Sequence, residues 1–326
     1  MKKILVTGGS GFIGTNLVQS LLADGFSVLN LDKSKPLDNS QSIYWKQIDI
    51  LSKNELEIAI THFDPEVIIH LAAVTDIVGT TAQHYMANTQ GTQNIIDIAA
   101  KLTSLKKVLY TSSMYVCKPG NIPTNNDDYS PHTVYGESKV QSEILVKAIK
   151  NVNYQWAIIR PTSIWGPWFN IPYIDFFNIV YQKKYFDFGK ACTKSYGYIG
   201  NTVFQIRKIM ESDQMHQQIF YLGDLPAIQI SDWANQISIE MGKGPIKKVS
   251  FMVLQAAALV GDVLTRFKVK FPMTSFRLSN MTTNNVLPLN NTYSVCGEPP
   301  FGRLEGIKKT LKWMEKEKGY KFKTQF

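Results

Sequence analysis

Tyr135 and Lys139 stand four residues apart in Tyr135-Gly136-Glu137-Ser138-Lys139. On a helix that spacing puts both side chains on one face, one turn apart. A free phenol titrates near pH about 10, and a neighbouring ammonium favours its ionised form. Such a phenol can take and return a proton near neutral pH, as general acid–base catalysis requires. A helical Tyr-x-x-x-Lys standing alone is most often a solvated surface pair. A second stretch gives this one weight: Thr7-Gly8-Gly9-Ser10-Gly11-Phe12-Ile13-Gly14.

That stretch needs a strand before it and a helix after it. Residues 2–7 read as a short apolar strand, and Phe12, Ile13, Leu17, Leu21 and Leu22 recur at helical spacing. Gly8, Gly11 and Gly14 fall at three-residue intervals between and into them. Glycines there permit a tight turn, let backbone amides approach a pyrophosphate, and let the helix pack close to the strand. The helix N-terminus adds partial positive charge. A second strand, residues 27–32, ends in Asp32. A carboxylate about 20 residues beyond such a turn can accept from ribose hydroxyls.

The rest of the first half continues the alternation. A third strand is expected over residues 43–50, a short helix over 55–61 and a continuously apolar, buried strand over 66–72. Asp49 could cap the helix that starts near Ser52. A long helix over 81–102 carries Asn88, a strand covers 107–112, the helix over 133–150 carries Tyr135 and Lys139, and a strand covers 154–161. This order predicts an α/β fold, a doubly wound parallel sheet with right-handed crossovers. Ligands then bind beyond the carboxyl ends of the strands. After Ser163 the pattern loosens: helices over 174–184, 232–241, 249–264 and 303–318, and a strand over 218–223.

A length of 326 residues suits about two domains, and 44% hydrophobic residues suffice for a core. The net charge of +9 suits anionic partners: nucleotide phosphates, a membrane surface or nucleic acid. Aromatics do not interleave a basic cluster, so nucleic acid is not expected. Three cysteines without paired spacing and five scattered histidines argue against a disulfide framework and against a metal. They fit a reducing, cytoplasmic setting. The apolar run after Met1-Lys2-Lys3 is too short for a secretion signal. Residues 249–264, broken by Gln255, Gly261 and Asp262, fall short of the about 20 residues of a membrane span.

Gly-x-x-Gly-x-x-Gly with Tyr-x-x-x-Lys downstream resembles the extended short-chain dehydrogenase/reductase family, whose largest branch is the nucleotide-sugar epimerases and dehydratases. The resemblance is close over the first half and loose beyond it. Its landmarks are Thr7 to Gly14, Asp49-Ile50, His70-Leu71-Ala72-Ala73, Asn88, Ser112-Ser113, Tyr135 with Lys139, and Arg160-Pro161. It implies a Rossmann-type domain over residues 1–165 and a smaller, partly interleaved substrate lobe over 166–326. It implies NAD, held by Gly8, Gly11, Phe12, Ile13, Gly14, Asp32, Asp49, Ile50, Leu71, Ala72, Ala73 and Asn88, with Tyr135 and Lys139 at the nicotinamide ribose. Asp32 would repel a 2′-phosphate and so favours NAD over NADP, although Lys33 beside it argues the other way. Tyr135 is the expected acid/base and Ser113 the hydroxyl that positions the substrate. Thr75, Met114, Asn170, Lys194 and Arg277 are the expected substrate contacts.

The activity this implies is NAD-dependent epimerisation of a nucleotide-diphosphate sugar, at C4, by transient oxidation and re-reduction. A ketosugar reductase or hydroxysteroid-type dehydrogenase is the alternative, and a non-catalytic NAD-binding regulator a further one. A homodimer is expected through the helices over 81–102 and 133–150, with Ile95, Ile98, Ile144 and Leu145 either at the interface or facing the sheet. Three positions depart from the family. Met114 and Tyr115 stand where 4,6-dehydratases carry an acid–base carboxyl pair. Val116-Cys117 replaces a Tyr-Gly. Lys194 lies where many relatives grip the phosphate with arginine, and it lacks the bidentate fork.

Overall fold

The computed structural model describes residues 2–267 and 274–323. Its first half runs β1 (Lys3–Thr7), α1 (Phe12–Ala23), β2 (Ser27–Asp32), β3 (Trp45–Gln47), α2 (Lys53–Phe63), β4 (Val67–His70), α3 (Met86–Ala99), β5 (Lys107–Thr111), α4 (Val134–Lys147) and β6 (Gln155–Pro161). The second half runs β7 (Ser163–Trp165), α5 (Tyr173–Tyr181), β8 (Thr193–Lys194), β9 (Tyr196–Tyr198), α6 (Ile199–Glu211), β10 (Gln218–Leu222), β11 (Ile228–Gln229), α7 (Ile230–Glu240), α8 (Phe251–Arg266), α9 (Ser275–Thr282), α10 (Asn290–Cys296) and α11 (Arg303–Lys318).

Seven parallel strands form one sheet in the order β10-β6-β5-β4-β1-β2-β3. The central strands are apolar on both faces because helices cover both faces. Alternation along β1 shows this: Ile4 and Val6 join a core with Leu17 and Leu21 of α1 and Ile206 of α6. Leu5 joins the opposite core with Ile60, Ile95 and Ile98. Strand order reverses between β1 and β4, where Thr7 pairs with His70. A crevice opens there, beyond the strand ends.

The second half contributes to both layers. β10 pairs with β6 from Gln218↔Ala157 to Leu222↔Pro161, completing the sheet edge. The remainder packs on an aromatic cluster in which Trp165, Phe177 and Trp233 are fully buried.

Several elements differ from expectation. The third strand keeps only Trp45–Gln47, because Asn39–Tyr44 winds into a 3₁₀ turn whose start is capped by Asp38. The long helix over 81–102 breaks into a 3₁₀ turn, Ala82–Tyr85, and α3. Tyr85 is fully buried and its hydroxyl donates to the Asp76 carbonyl, which holds the preceding loop against that turn. Ile95 and Ile98 face the sheet, so the choice left open for them falls on the core; Ile144 is 47% exposed.

Candidate active site

The two stretches meet at the carboxyl ends of β1, β4 and β5. Gly8 adopts φ +73°, and a Cβ there would lie 2.5 Å from the Ala72 nitrogen, so this glycine lets the turn approach the loop after β4. A Cβ on Gly14 would lie 2.3 Å from the Gly8 carbonyl oxygen. Gly11 is different: its Cβ would meet only that same oxygen, at 3.3 Å. Gly11 precedes α1 and no side chain caps the helix, so the first-turn amides of Phe12 and Ile13 face outward from a positive helix end. At the end of β2 the Asp32 carboxylate accepts from Ser10 N at 3.1 Å and Ser34 N at 2.8 Å. Burial raises its pKa. An uncapped helix start, an open glycine and a carboxylate beside the turn are the donor and acceptor set a dinucleotide needs. The residues fit NAD.

Tyr135 is 6% exposed on the first turn of α4, whose start Thr133 caps through Gly136 N at 3.0 Å. Ser113, just beyond β5, lies beside the Tyr135 phenol. Its Oγ also accepts from Tyr115 N at 3.2 Å, which fixes the hydroxyl at the start of a short turn. Burial pushes the Tyr135 phenol up to about 12, and Ser113 works in the opposite direction. Burial, rather than the ammonium, is thus the largest influence on this tyrosine. Lys139 is 3% exposed and its Nζ donates to the Thr111 carbonyl at 2.9 Å. Burial lowers its pKa to about 8, and Glu143 one turn further on opposes that. Glu143 is itself held by Arg160, Nε to Oε1 at 2.8 Å and Nη2 to Oε2 at 2.7 Å.

The other expected cofactor residues divide between the loop after β4, beside α4, and the segment after β3, beside α3. Asn88 is buried; its Oδ1 accepts from Val74 N at 2.8 Å and its Nδ2 donates to Val74 O at 3.0 Å and Ser138 Oγ at 2.9 Å. It holds the loop that carries Leu71, Ala72 and Ala73 against α4. Ile50 packs on Gly91, and its carbonyl accepts from Asn94 Nδ2 at 2.8 Å. Asp49 accepts from Leu51 N at 2.9 Å within its own turn, three residues before the α2 cap Ser52. His70 is fixed between Thr7 Oγ1 at 2.7 Å and Thr92 Oγ1 at 3.3 Å. Burial, helped by Lys139, lowers its pKa to about 3, so it is neutral.

The expected substrate contacts scatter more. Thr75 and Asn170 are exposed. Met114 packs against Tyr221, Leu287 and Leu289. Lys194 pairs with Ile228 in a two-stranded ribbon. Arg277 lies on α9, and its side chain is outside the described residues. The Cys117 thiol donates to the Asp128 carbonyl at 3.1 Å.

A wall of tyrosines that no local pattern marks lies beside the pair. Tyr135 is 5.9 Å from the Tyr85 ring and 5.8 Å from the Tyr115 ring, and Tyr115 stacks on His132 at 5.6 Å. Tyr173 lies beside Ser163, which works against the burial that raises its pKa, and near Tyr115 and Tyr135, which add to the rise. It packs edge-on to Tyr196 at 6.2 Å. Burial pushes Tyr115, Tyr173 and Tyr196 upward, so each is a neutral phenol. Among the described residues no group of three or more His, Cys, Asp or Glu side chains is placed to hold a metal.

A parallel sheet, a glycine turn at its crevice and a buried Ser/Tyr/Lys set define an NAD-dependent enzyme of the Rossmann class. Residues 4–176 match the NAD dependent epimerase/dehydratase family, and the chain belongs to that family. It is 27% identical to the N-acetyl-alpha-D-glucosaminyl-diphospho-ditrans,octacis-undecaprenol 4-epimerase of Escherichia coli O157:H7, over 95% of this chain and 94% of that one. It is 33% identical to a UDP-glucose 4-epimerase of Mycolicibacterium smegmatis, over 51% of this chain and 57% of the relative. The UDP-glucose 4-epimerase of Thermotoga maritima, solved with UDP-glucose, superposes with a TM-score of 0.75 at 19% identity, over 96% of this chain and 99% of that one.

Proposed function

We propose that this enzyme is an NAD-dependent 4-epimerase of a diphosphate-linked sugar, with a nucleotide sugar as its first substrate class. The observation that carries the reading is the burial of Tyr135 and Lys139 on one face of α4, at the strand ends where a glycine turn is fitted to a dinucleotide. In the forward half-reaction the Tyr135 phenolate, reached against burial with the help of the Lys139 charge, takes the proton of the sugar C4 hydroxyl while Ser113 Oγ holds that oxygen. When bound, NAD would supply reversible hydride exchange at the sugar C4, the redox chemistry that inverts that carbon through a ketosugar. Tyr135 then gives its proton back to the new alkoxide. Lys139 supplies positive charge beneath the phenol and hydroxyl-binding capacity for the nicotinamide ribose. The tyrosine wall offers phenol donors and flat ring faces for the sugar.

The site supports epimerisation over 4,6-dehydration. Met114 is packed into an apolar cluster and Tyr115 is a neutral phenol stacked on His132, so a carboxyl pair for C5–C6 proton transfer is replaced. A polyprenyl-diphosphate sugar is a second reading, favoured by the relative that aligns along 95% of the chain. Purified protein incubated with UDP-glucose or UDP-N-acetylglucosamine, with the products followed by proton NMR, tests the proposal. A 4-epimer is expected. A 4-keto-6-deoxy product, or a stable ketone with stoichiometric NADH, would overturn it.

A further inference from the structure

Helix α8 presents an apolar face to solvent. At 3.6 residues per turn, Met252, Val253, Leu259, Val260, Val263 and Phe267 fall within about 120° of its circumference. Met252 is 76% exposed, Leu259 65% and Phe267 75%. The opposite face is packed, with Leu254 6% and Ala258 1% exposed. A helix apolar on both sides calls for a second apolar environment on its outer side.

The surroundings of its N-terminal end identify that environment. Asp187 N donates to the Lys247 carbonyl at 3.0 Å and Val249 N donates to the Asp187 carbonyl at 2.8 Å. This pairing lays the segment after α5 along the entry to α8. It gathers Lys183, Lys184, Lys190, Lys247 and Lys248, all exposed, about a half-buried Asp187. Lys190 Nζ sits 4.9 Å over the Phe251 ring, at the first residue of the helix. Lysines clustered at the entry to an apolar helix complement an anionic bilayer, whose phosphates meet the ammonium groups while the helix enters the headgroup–acyl boundary. A second copy of the chain is a poorer occupant. A twofold contact with the two helices parallel would bring the two lysine sets together, and an antiparallel one would leave both sets without an anionic partner.

We propose that α8 and the lysine cluster at its N-terminal end dock the protein on an anionic membrane surface, with the helix lying in the plane of the interface. No helix among the described residues is long and apolar enough to cross a membrane, which accords with a surface mode. The dock belongs to the lobe beside the site. α8 packs on α9, and Asn285, just beyond α9, exchanges backbone hydrogen bonds with Thr193 and Ser195 on either side of Lys194. A docked molecule therefore holds that lobe at the lipid surface.

Flotation of the full chain with phosphatidylcholine vesicles, with and without phosphatidylglycerol, tests the dock without any substrate. Its outcome is thus separate from that of the epimerase assay. The protein is expected to float with the anionic vesicles and to be released by high salt. Lys247→Gln with Lys248→Gln should weaken partition about thirtyfold. Leu259→Glu with Val263→Glu should abolish it while leaving NAD binding intact. Absence of flotation by the parent protein overturns the proposal, as does equal flotation of parent and lysine variant. If the Leu259/Val263 variant instead splits an oligomer in sedimentation and the parent ignores vesicles, the face is a self-interface and the proposal falls.

Discussion

Asn88 Nδ2 donates to Ser138 Oγ at 2.9 Å, and Ser138 Oγ donates to the Tyr135 carbonyl at 2.7 Å. A buried amide on α3 thereby sets the position of α4 beside the two residues proposed to carry the chemistry. Asn88→Ala would strand buried polar groups at Val74 and Ser138. It should cost about 1–3 kcal/mol of stability and lower turnover. Urea unfolding checks the first part; a variant as stable as its parent would make those bonds incidental.

Tyr135→Phe removes only the hydroxyl. Turnover should fall about 10²–10⁴-fold, or roughly 3–5 kcal/mol in barrier, with fold and NAD affinity preserved. Ser113→Ala should lower turnover and leave NAD affinity nearly unchanged. Steady-state rates beside NAD titrations decide this, and near-parental turnover by the phenylalanine variant would remove the assigned mechanism.

Two glycines should separate fold from ligand. A Cβ on Gly14 would press on backbone, 2.3 Å from Gly8 O and 2.5 Å from Gly9 Cα. Gly14→Ala should therefore destabilise the protein by about 1–3 kcal/mol. Gly11→Ala meets only a 3.3 Å neighbour. It should fold normally and bind NAD less tightly. Equal melting temperatures for both variants would contradict this.

His70 makes stability pH-dependent. Its pKa is lowered from 6.5 to about 3 by burial. Between those values the unfolded chain binds a proton that the folded chain refuses, so stability falls as pH drops. The contribution is complete above pH 6.5 and is lost at about 1.4 kcal/mol per unit below it. Denaturant midpoints at pH 7 and 5.5 should show the loss. His70→Gln should show a smaller one, and an unchanged slope in that variant would refute the assignment.

Lys139 titrates in the opposite range. Burial lowers its pKa to about 8, so its ammonium is lost as pH rises through that value. NAD affinity should decline across pH 8 in the parent and be weaker and flatter in Lys139→Met. Fluorescence titration of cofactor binding at several pH values measures both.

The parts of the site that rest on short-range chemistry were readable in the chain. Strand, glycine turn and helix follow one another at residues 3–23, and Tyr135 and Lys139 need only one helical turn to meet. What escaped reading was assembled over distance. Tyr85, Tyr115, Tyr173 and Tyr196 lie in four separate segments, and only the closed fold brings their rings toward Tyr135. The third strand was overextended because Ile43 and Tyr44 look like strand residues, whereas Asp38 caps a turn there and leaves Ile43 82% exposed. The run over 249–264 read as an apolar helix too short to span a membrane, and its pattern alone could not show which face would stay uncovered.

The late arrival of β10 at the side of β6 has a consequence for biogenesis. When residue 161 leaves the ribosome, β6 is the last strand of a nearly finished sheet, and its outer row of amides and carbonyls is open. Its partner, Gln218–Leu222, has not yet been made. For that interval the nascent chain carries an apolar strand edge able to pair with another nascent chain. Release of a polypeptide ending near residue 165 should therefore give an aggregating product rather than a free-standing nucleotide-binding module.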